Sequence, residues 1–233
     1  METKKIKLSP RLMACADYVP QGALLADVGT DHAYLPVWLI QNGRVRTPVT
    51  ACDINRGPLD RARQSAREYG VESQVVFMLN NGLAGTKEDL ADTVVIAGMG
   101  GETIMDIISG SGWHWEGRTL ILQPMSKIYE LCRRLYEKGF YIERERLVRD
   151  AGELYRVLLV RHGRREMPPA LELYAGAPGR GDPLYKEYLG GLIKKFSRME
   201  KGMAASEKAD AAMLEEIRGL LSEARKLERE LDQ

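Results

Sequence analysis

Apolar residues recur along the chain in five short runs, at 23–27, 48–53, 74–79, 92–97 and 118–123. Only weak polar alternation interrupts them, which predicts strands buried on both faces rather than strands half open to water. Helical spacing fills the intervals. It is clearest over 58–69, where Leu59, Ala62, Ala66 and Tyr69 share a face and Gly70 follows as a left-handed terminator. Upstream, Ser9 then Pro10 makes a cap-and-proline helix start ahead of the stripe Leu12, Met13, Ala16 and Val19. Strands alternating with helices predict an α/β domain built on a parallel sheet. The pattern changes near 140. Runs at 141–148 and 155–160, joined by a short segment containing Gly152, predict a hairpin, so the sheet should close in an antiparallel pair.

Beyond the hairpin the pattern shifts again. Residues 168–183 carry five prolines and glycines around 175–183 and predict a linker or turn. Two helical segments follow. In the second, Met213, Ile217, Leu220, Ala224, Leu227 and Leu231 alternate steps of four and three, the seam of a coiled coil. The first repeats more loosely through Leu184, Tyr188, Leu192, Phe196, Met199 and Met203. The expected organisation is an α/β domain over 1–165 and an α-helical coiled-coil domain over 166–233, its two helices joined near 204–209.

Composition narrows this little. The 233 residues suit one domain plus an appendage, and 44% hydrophobic residues suffice for a core. The absence of an 18-residue apolar run argues against a membrane span. Cys15, Cys52 and Cys132 lie too far apart for a disulfide frame or a zinc site, so reduced thiols in a cytoplasmic protein without metal are expected. A net charge of +1 neither invites nor excludes nucleic acid, although seven arginines fall within 144–165, a local candidate for phosphate contacts.

Ligands of open α/β sheets bind beyond the carboxyl ends of the strands, where strand order reverses. The first strand delivers Asp27, Gly29, Asp31, His32 and Tyr34 there. The second ends in Asp53 and Ile54, with the acid 24 residues after Gly29, a spacing at which a carboxylate grips ribose hydroxyls. A dinucleotide fingerprint needs GxGxxG, whereas 29–34 reads GTDHAY with only the first glycine, which argues against a pyrophosphate turn. What remains is an adenosine ligand without pyrophosphate, of which S-adenosylmethionine is the commonest. Asn81 and Gly82 end the third strand, placed to meet an adenine amino group; a simple turn explains them equally. The fourth ends in Gly98, Met99, Gly100 and Gly101, and three glycines in four positions imply that something flat approaches the backbone. The fifth brings the amide of Gln123 to the same edge. His32 alone among the histidines ends a strand at that edge; His114 and His162 read as structural. The chain lacks the (D/N)PP(Y/F) tetrapeptide of enzymes that methylate exocyclic amines, and no cysteine follows a proline as in many pyrimidine C5 methyltransferases.

DVGTDHAYLP (27–36), CDIN (52–55), NNGL (80–83), VVIAGMGG (94–101) and LILQP (120–124) occur in that order. Together they resemble the bacterial tRNA (adenine-22-N1)-methyltransferase family over nearly the whole chain. The resemblance implies a Rossmann-like, S-adenosylmethionine-dependent methyltransferase with tRNA as substrate. It puts Asp27, Gly29 and Asp31 along the cofactor's methionine side and Asp53 on its ribose. Asn81 and Gly82 would sit by its adenine, and Gly98, Met99 and Gly100 would border the reaction centre. The loop reading NNGL departs from the pattern where an acid would be expected. His32 and Tyr34 are candidates to stack on the target base, and Asp31 to stabilise the positive charge that develops on it. A methyltransferase for a small metabolite or a protein, and a non-catalytic adaptor that binds the cofactor, are the alternatives.

Overall fold

The computed structural model describes residues 4–177, 182–206 and 210–231. The chain divides into two compact units, Met1–Glu166 and Met167–Gln233.

In the first unit each apolar run forms a strand: β1 (Ala23–Val28), β2 (Val45–Asp53), β3 (Val75–Leu79), β4 (Thr93–Gly100) and β5 (Thr119–Ser126). The hairpin is β6 (Phe140–Asp150) and β7 (Glu153–His162). They make one sheet of order β3-β2-β1-β4-β5-β7-β6. β1 to β5 pair in parallel, and β7 lies antiparallel between β5 and β6. The centre explains the unbroken apolar runs. Leu25, Ala26, Val94, Val95, Ile96, Ile121 and Leu122 are all buried, because helices cover both faces. These are α1 (Pro10–Tyr18), α2 (Tyr34–Gln41), α3 (Arg56–Glu68), α4 (Gly101–Gly110) and α5 (Ile128–Glu137). The Ser9 side chain caps α1 by accepting from the Leu12 N–H, and Gly70, at φ +73°, follows α3. Strand order reverses between β1 and β4, so their carboxyl ends open a crevice at the centre of the sheet.

Among its described residues the second unit holds three helices, α6 (Ala170–Ala175), α7 (Tyr185–Ala204) and α8 (Ala211–Glu230). The expected linker over 168–183 therefore contains a helix; its part at 178–181, and residues 207–209 of the expected join, lie outside the described residues. α7 and α8 pack together and α6 touches both. Tyr174 of α6 meets Phe196 of α7 edge to face, centroids 5.0 Å apart. This third helix changes the expected seam. Ile217, Leu220 and Ala224 are buried as the heptad requires, but Leu221 joins them and Met213 stays half exposed. On α7 the buried residues are Tyr185, Leu189, Leu192 and Phe196, so Leu184 and Tyr188 of the expected stripe yield to their neighbours. Among the described residues no helix is long and apolar enough to cross a membrane.

Candidate active site

The crevice is assembled by backbone hydrogen bonds between successive strand ends. After β1 the chain turns at Gly29, φ +78°, and the N–H groups of Gly29 and Thr30 both donate to the Cys52 carbonyl, at 2.8 and 3.1 Å. That pins the first loop beside Asp53. The Asn80 N–H in turn donates to the Asp53 carbonyl at 3.0 Å, bringing in the loop after β3. From β4, the Met99 side chain lies over Gly29; a Cβ there would sit 2.1 Å from its methyl carbon and push that flexible side chain aside, and the φ of +78° strains any other residue. Four loops thus meet within a few residues.

Asp27 is buried at the end of β1, and burial pushes its carboxyl up to about 6; the Asp53 charge adds to this and the Thr30 hydroxyl opposes it. A carboxyl whose folded pKa is raised binds its proton more tightly when folded. The stability this gives is complete below about 3.8 and is lost as pH rises through about 6. At neutral pH the ionised carboxylate costs on the order of 3 kcal/mol. A cationic ligand would recover that cost, which suits the ammonium end of an amino-acid-bearing cofactor.

Asp53 is half-buried at the end of β2. Its Oδ1 accepts from the Asn55 N–H at 2.8 Å, and Oδ2 has no partner among the described residues. One carboxylate oxygen is therefore free for hydroxyl groups. Ile54 beside it is 60% exposed, an apolar surface at the crevice rim. Asn81 is exposed, whereas Asn80 turns inward and donates to Thr86 Oγ1 at 3.0 Å. Gly82 differs from expectation. A Cβ there would lie 2.8 Å from Ile107 of α4, and its carbonyl accepts from the Cys52 thiol. Packing and a left-handed backbone, φ +61°, both favour glycine here.

His32 and Ala33 both have left-handed backbones, φ 65° and 50°. Two such non-glycine residues in succession store strain of the kind found at functional sites. They bring the His32 and Tyr34 rings into a stack, centroids 5.1 Å apart and 21° from parallel, with Tyr34 39% exposed. Asp31 does not stand free: Arg61 of α3 binds its Oδ1 at 2.8 Å. Arg61 lies 30 residues away in sequence, and nothing in the linear pattern marks it. An acid already paired with a guanidinium contributes less to stabilising a developing cation than the isolated carboxylate expected from the sequence.

The glycines at 98–101 have three separate reasons. Gly98 has φ +78° and is exposed. Gly100 has an ordinary backbone, φ −66° and ψ 147°, with Ser126 Oγ 3.3 Å from where a Cβ would stand. Gly101 is a packing glycine, since its Cβ would fall 2.4 Å from the Lys127 carbonyl oxygen. Gln123 also departs from expectation. It is fully buried, its Oε1 accepting from the Gly98 N–H at 3.0 Å and its Nε2 donating to the Pro124 carbonyl at 2.9 Å. Its amide is spent inside the protein and reaches the crevice only through Gly98.

Burial pushes the thiols of Cys15 and Cys52 up to about 12 and that of Cys132 up to about 11, which removes them as nucleophiles near neutral pH. Among the described residues no group of three or more His, Cys, Asp or Glu could hold a metal. α2, α3 and α4 all begin at the crevice without side-chain caps, leaving first-turn amides for an anionic group. Strand-end acids, uncapped helix starts and an apolar rim fit an adenosine ligand with an amino-acid tail.

A sheet of this order, closed by an antiparallel hairpin, with an acid at the end of each of its first two strands, defines a Rossmann-like methyltransferase. The family model described as "Methyltransferase domain" matches residues 8–158. The chain belongs more particularly to the tRNA (adenine(22)-N(1))-methyltransferase family. It is 34% identical over 196 residues to the enzyme of that name from Bacillus subtilis (strain 168), covering 83% of this chain and 82% of the relative. The crystal structure of the B. subtilis M1A22 tRNA methyltransferase TrmK superposes with a TM-score of 0.80 at 25% identity, covering 98% of each chain. Streptococcus pneumoniae Sp1610 in complex with S-adenosyl-L-methionine also gives a TM-score of 0.80, at 27% identity over 94% of this chain and 99% of that one.

Proposed function

We propose that this chain transfers the methyl group of S-adenosylmethionine to N1 of adenine 22 in tRNA. The observation that carries the reading is the glycine-rich segment at 98–101, exposed at Gly98, beside two strand-end acids and in place of an amine-methylating tetrapeptide. When bound, S-adenosylmethionine supplies an electrophilic methyl group. Asp27 holds its ammonium, Asp53 its ribose hydroxyls, and Ile54 and Asn81 border its adenine. Gly29 leaves room for the methionine side, with Met99 above it. The His32–Tyr34 stack offers a ring face to the target base, which N1 chemistry requires to be unpaired and turned out at a cost of a few kcal/mol. Adenine N1 already carries a lone pair, so the residues need to align it more than to deprotonate it. Alignment alone can lower a barrier by about 7–11 kcal/mol. This accounts for a crevice whose one His–carboxylate pair among the described residues, His32 and Asp31, stands 3.8 Å apart with the acid already held by Arg61.

The second unit is proposed to hold tRNA phosphates. A groove of about 380 Å³ is lined by Arg218, Arg225 and Arg229 of α8, with Ser222, Leu221 and Glu200. Lys194, Arg198 and Lys201 are exposed along one stripe of α7. A transfer assay tests the whole reading against a small-molecule methyltransferase: label should enter a full-length tRNA transcript and not free adenosine. Efficient methylation of the free nucleoside would replace tRNA with a metabolite, and absence of turnover with either would leave an adaptor.

Two binding results are expected on the same reading. An Asp53→Ala variant should weaken S-adenosylmethionine binding about ten- to a hundredfold, since a hydrogen bond to a charged group is worth roughly 1.5–3 kcal/mol. Calorimetry on the folded variant checks this, and unchanged affinity removes Asp53 from the site. Affinity should also fall about tenfold per pH unit below about 6, where Asp27 takes up its proton, and level off above. Asp27→Asn should bind weakly with that step gone; a variant that keeps the wild-type profile contradicts the ammonium role.

A further inference from the structure

Gly98 lies within β4 at an irregularity in its pairing with β5: the register shifts between Ala97 and Met99. Its N–H is satisfied by a side chain, donating to Gln123 Oε1 at 3.0 Å. That same oxygen accepts a second hydrogen bond, from Arg11 Nη1 at 2.9 Å. Arg11 stands on α1, 112 residues earlier in the chain. It is gripped from the far side by the hairpin. Asp150 of β6 lies 3.6 Å from its Nε, and the Tyr155 ring of β7 lies under the guanidinium at 5.3 Å. A Cβ at Gly98 would have one neighbour within 4 Å, Arg11 Nη1 at 3.7 Å, so the guanidinium lies directly beside the exposed turn.

We infer that Arg11 is a positioning residue for methyl transfer, fixing the turn at 98–101 through the Gln123 amide. The inference rests on the proposed reading that this turn borders the target base. The physics is one of orientation. A carboxamide has an accepting end and a donating end, and either can occupy the same space. A guanidinium only donates. With Arg11 in place, a flipped Gln123 would set its NH2 against two donors, Arg11 and the Gly98 N–H, so one orientation survives. Without Arg11 only the Gly98 N–H and the Pro124 carbonyl orient the amide, and the anchor of the left-handed backbone at Gly98 is no longer tied to α1 and the hairpin. Hydrophobic packing of α1 does not require the arrangement. A guanidinium three-quarters buried is expensive, and an aliphatic residue would cover the hairpin at lower cost.

The test uses the full chain with tRNA and S-adenosylmethionine varied in turn. Arg11→Ala should lower kcat about a hundredfold, the loss that a misplacement near 1 Å causes. Its affinity for S-adenosylmethionine by calorimetry and its KM for tRNA should stay within about threefold. Arg11→Lys, which keeps one donor, should recover part of the loss. Gln123→Leu should resemble Arg11→Ala, and the double variant should be no slower than the worse single one, because both remove the same tether. Multiplicative losses overturn the inference, as does a normal kcat in Arg11→Ala. A raised KM for tRNA at unchanged kcat makes Arg11 a phosphate contact and also overturns it. If Arg11→Ala does not fold, Arg11→Lys against Gln123→Leu decides by the same kcat criterion. Gly100→Val separates the two levels: an active Gly100→Val overturns the reading of the turn itself, while an inactive one beside an active Arg11→Ala overturns the tether alone.

Discussion

A Gly100→Val variant should fold normally and lose methyl transfer by at least about a hundredfold. Gly100 has a backbone that any residue adopts, so valine carries no conformational penalty there. Its Cβ would meet Ser126 Oγ at 3.3 Å, and Ser126 is exposed and free to rotate away. The branches of valine would then project into the space assigned to the target base. The neighbouring position supplies the contrast. A Cβ at Gly101 would strike the Lys127 carbonyl oxygen at 2.4 Å and Leu131 Cβ at 2.9 Å, which are backbone and core. Gly101→Ala should therefore lower the melting temperature through overpacking of about 1–3 kcal/mol or more, whatever its activity. Melting curves and single-turnover rates for the two variants distinguish a glycine kept for substrate from one kept for packing. A fully active Gly100→Val would leave the backbone as the only reason for that glycine.

Charge reversal on α7 should produce the second large effect. Lys194, Arg198 and Lys201 recur at steps of four and three, so they share a face, and all three are exposed. Lys195 is left out, because its ammonium lies 5.5 Å from the Tyr174 ring centroid and helps hold α6. Replacing the three by glutamate should flatten the plot of log affinity for tRNA against log salt by about 0.7–0.9 for each phosphate that is no longer neutralised. Affinity for S-adenosylmethionine should not change. An unaltered salt slope would move the RNA-binding surface off this helix, and the arginines of 144–165 become the next surface to vary.

The sheet was legible because its signal is local and repeated. Unbroken apolar runs such as Val94–Ile96 arise from burial on both faces, and Gly152 announces the hairpin by its turn chemistry. The acids Asp27 and Asp53 followed from strand order, since a strand end in a parallel sheet is also a place in the crevice. What stayed hidden depends on interactions between residues distant in sequence. Arg61 neutralises Asp31 across 30 residues, and Arg11 reaches Gln123 across 112. No spacing encodes either. Composition misled at α6: six residues between prolines and glycines read as linker, yet Leu171 and Leu173 are buried within the second unit. That helix in turn shifted the buried stripe of α7 from Leu184 and Tyr188 to Tyr185 and Leu189. The glycines of 98–101 carry one signal in sequence and three causes in structure.

Nucleoside mass spectrometry with chromatographic separation of isomers reads the methylated product itself. A tRNA transcript bearing adenine at position 22 is incubated with the protein and S-adenosylmethionine, then digested. The expected product is 1-methyladenosine, absent when position 22 is changed to guanine and absent without protein. A product of N6-methyladenosine, or 1-methyladenosine that persists in the position-22 variant, would contradict it.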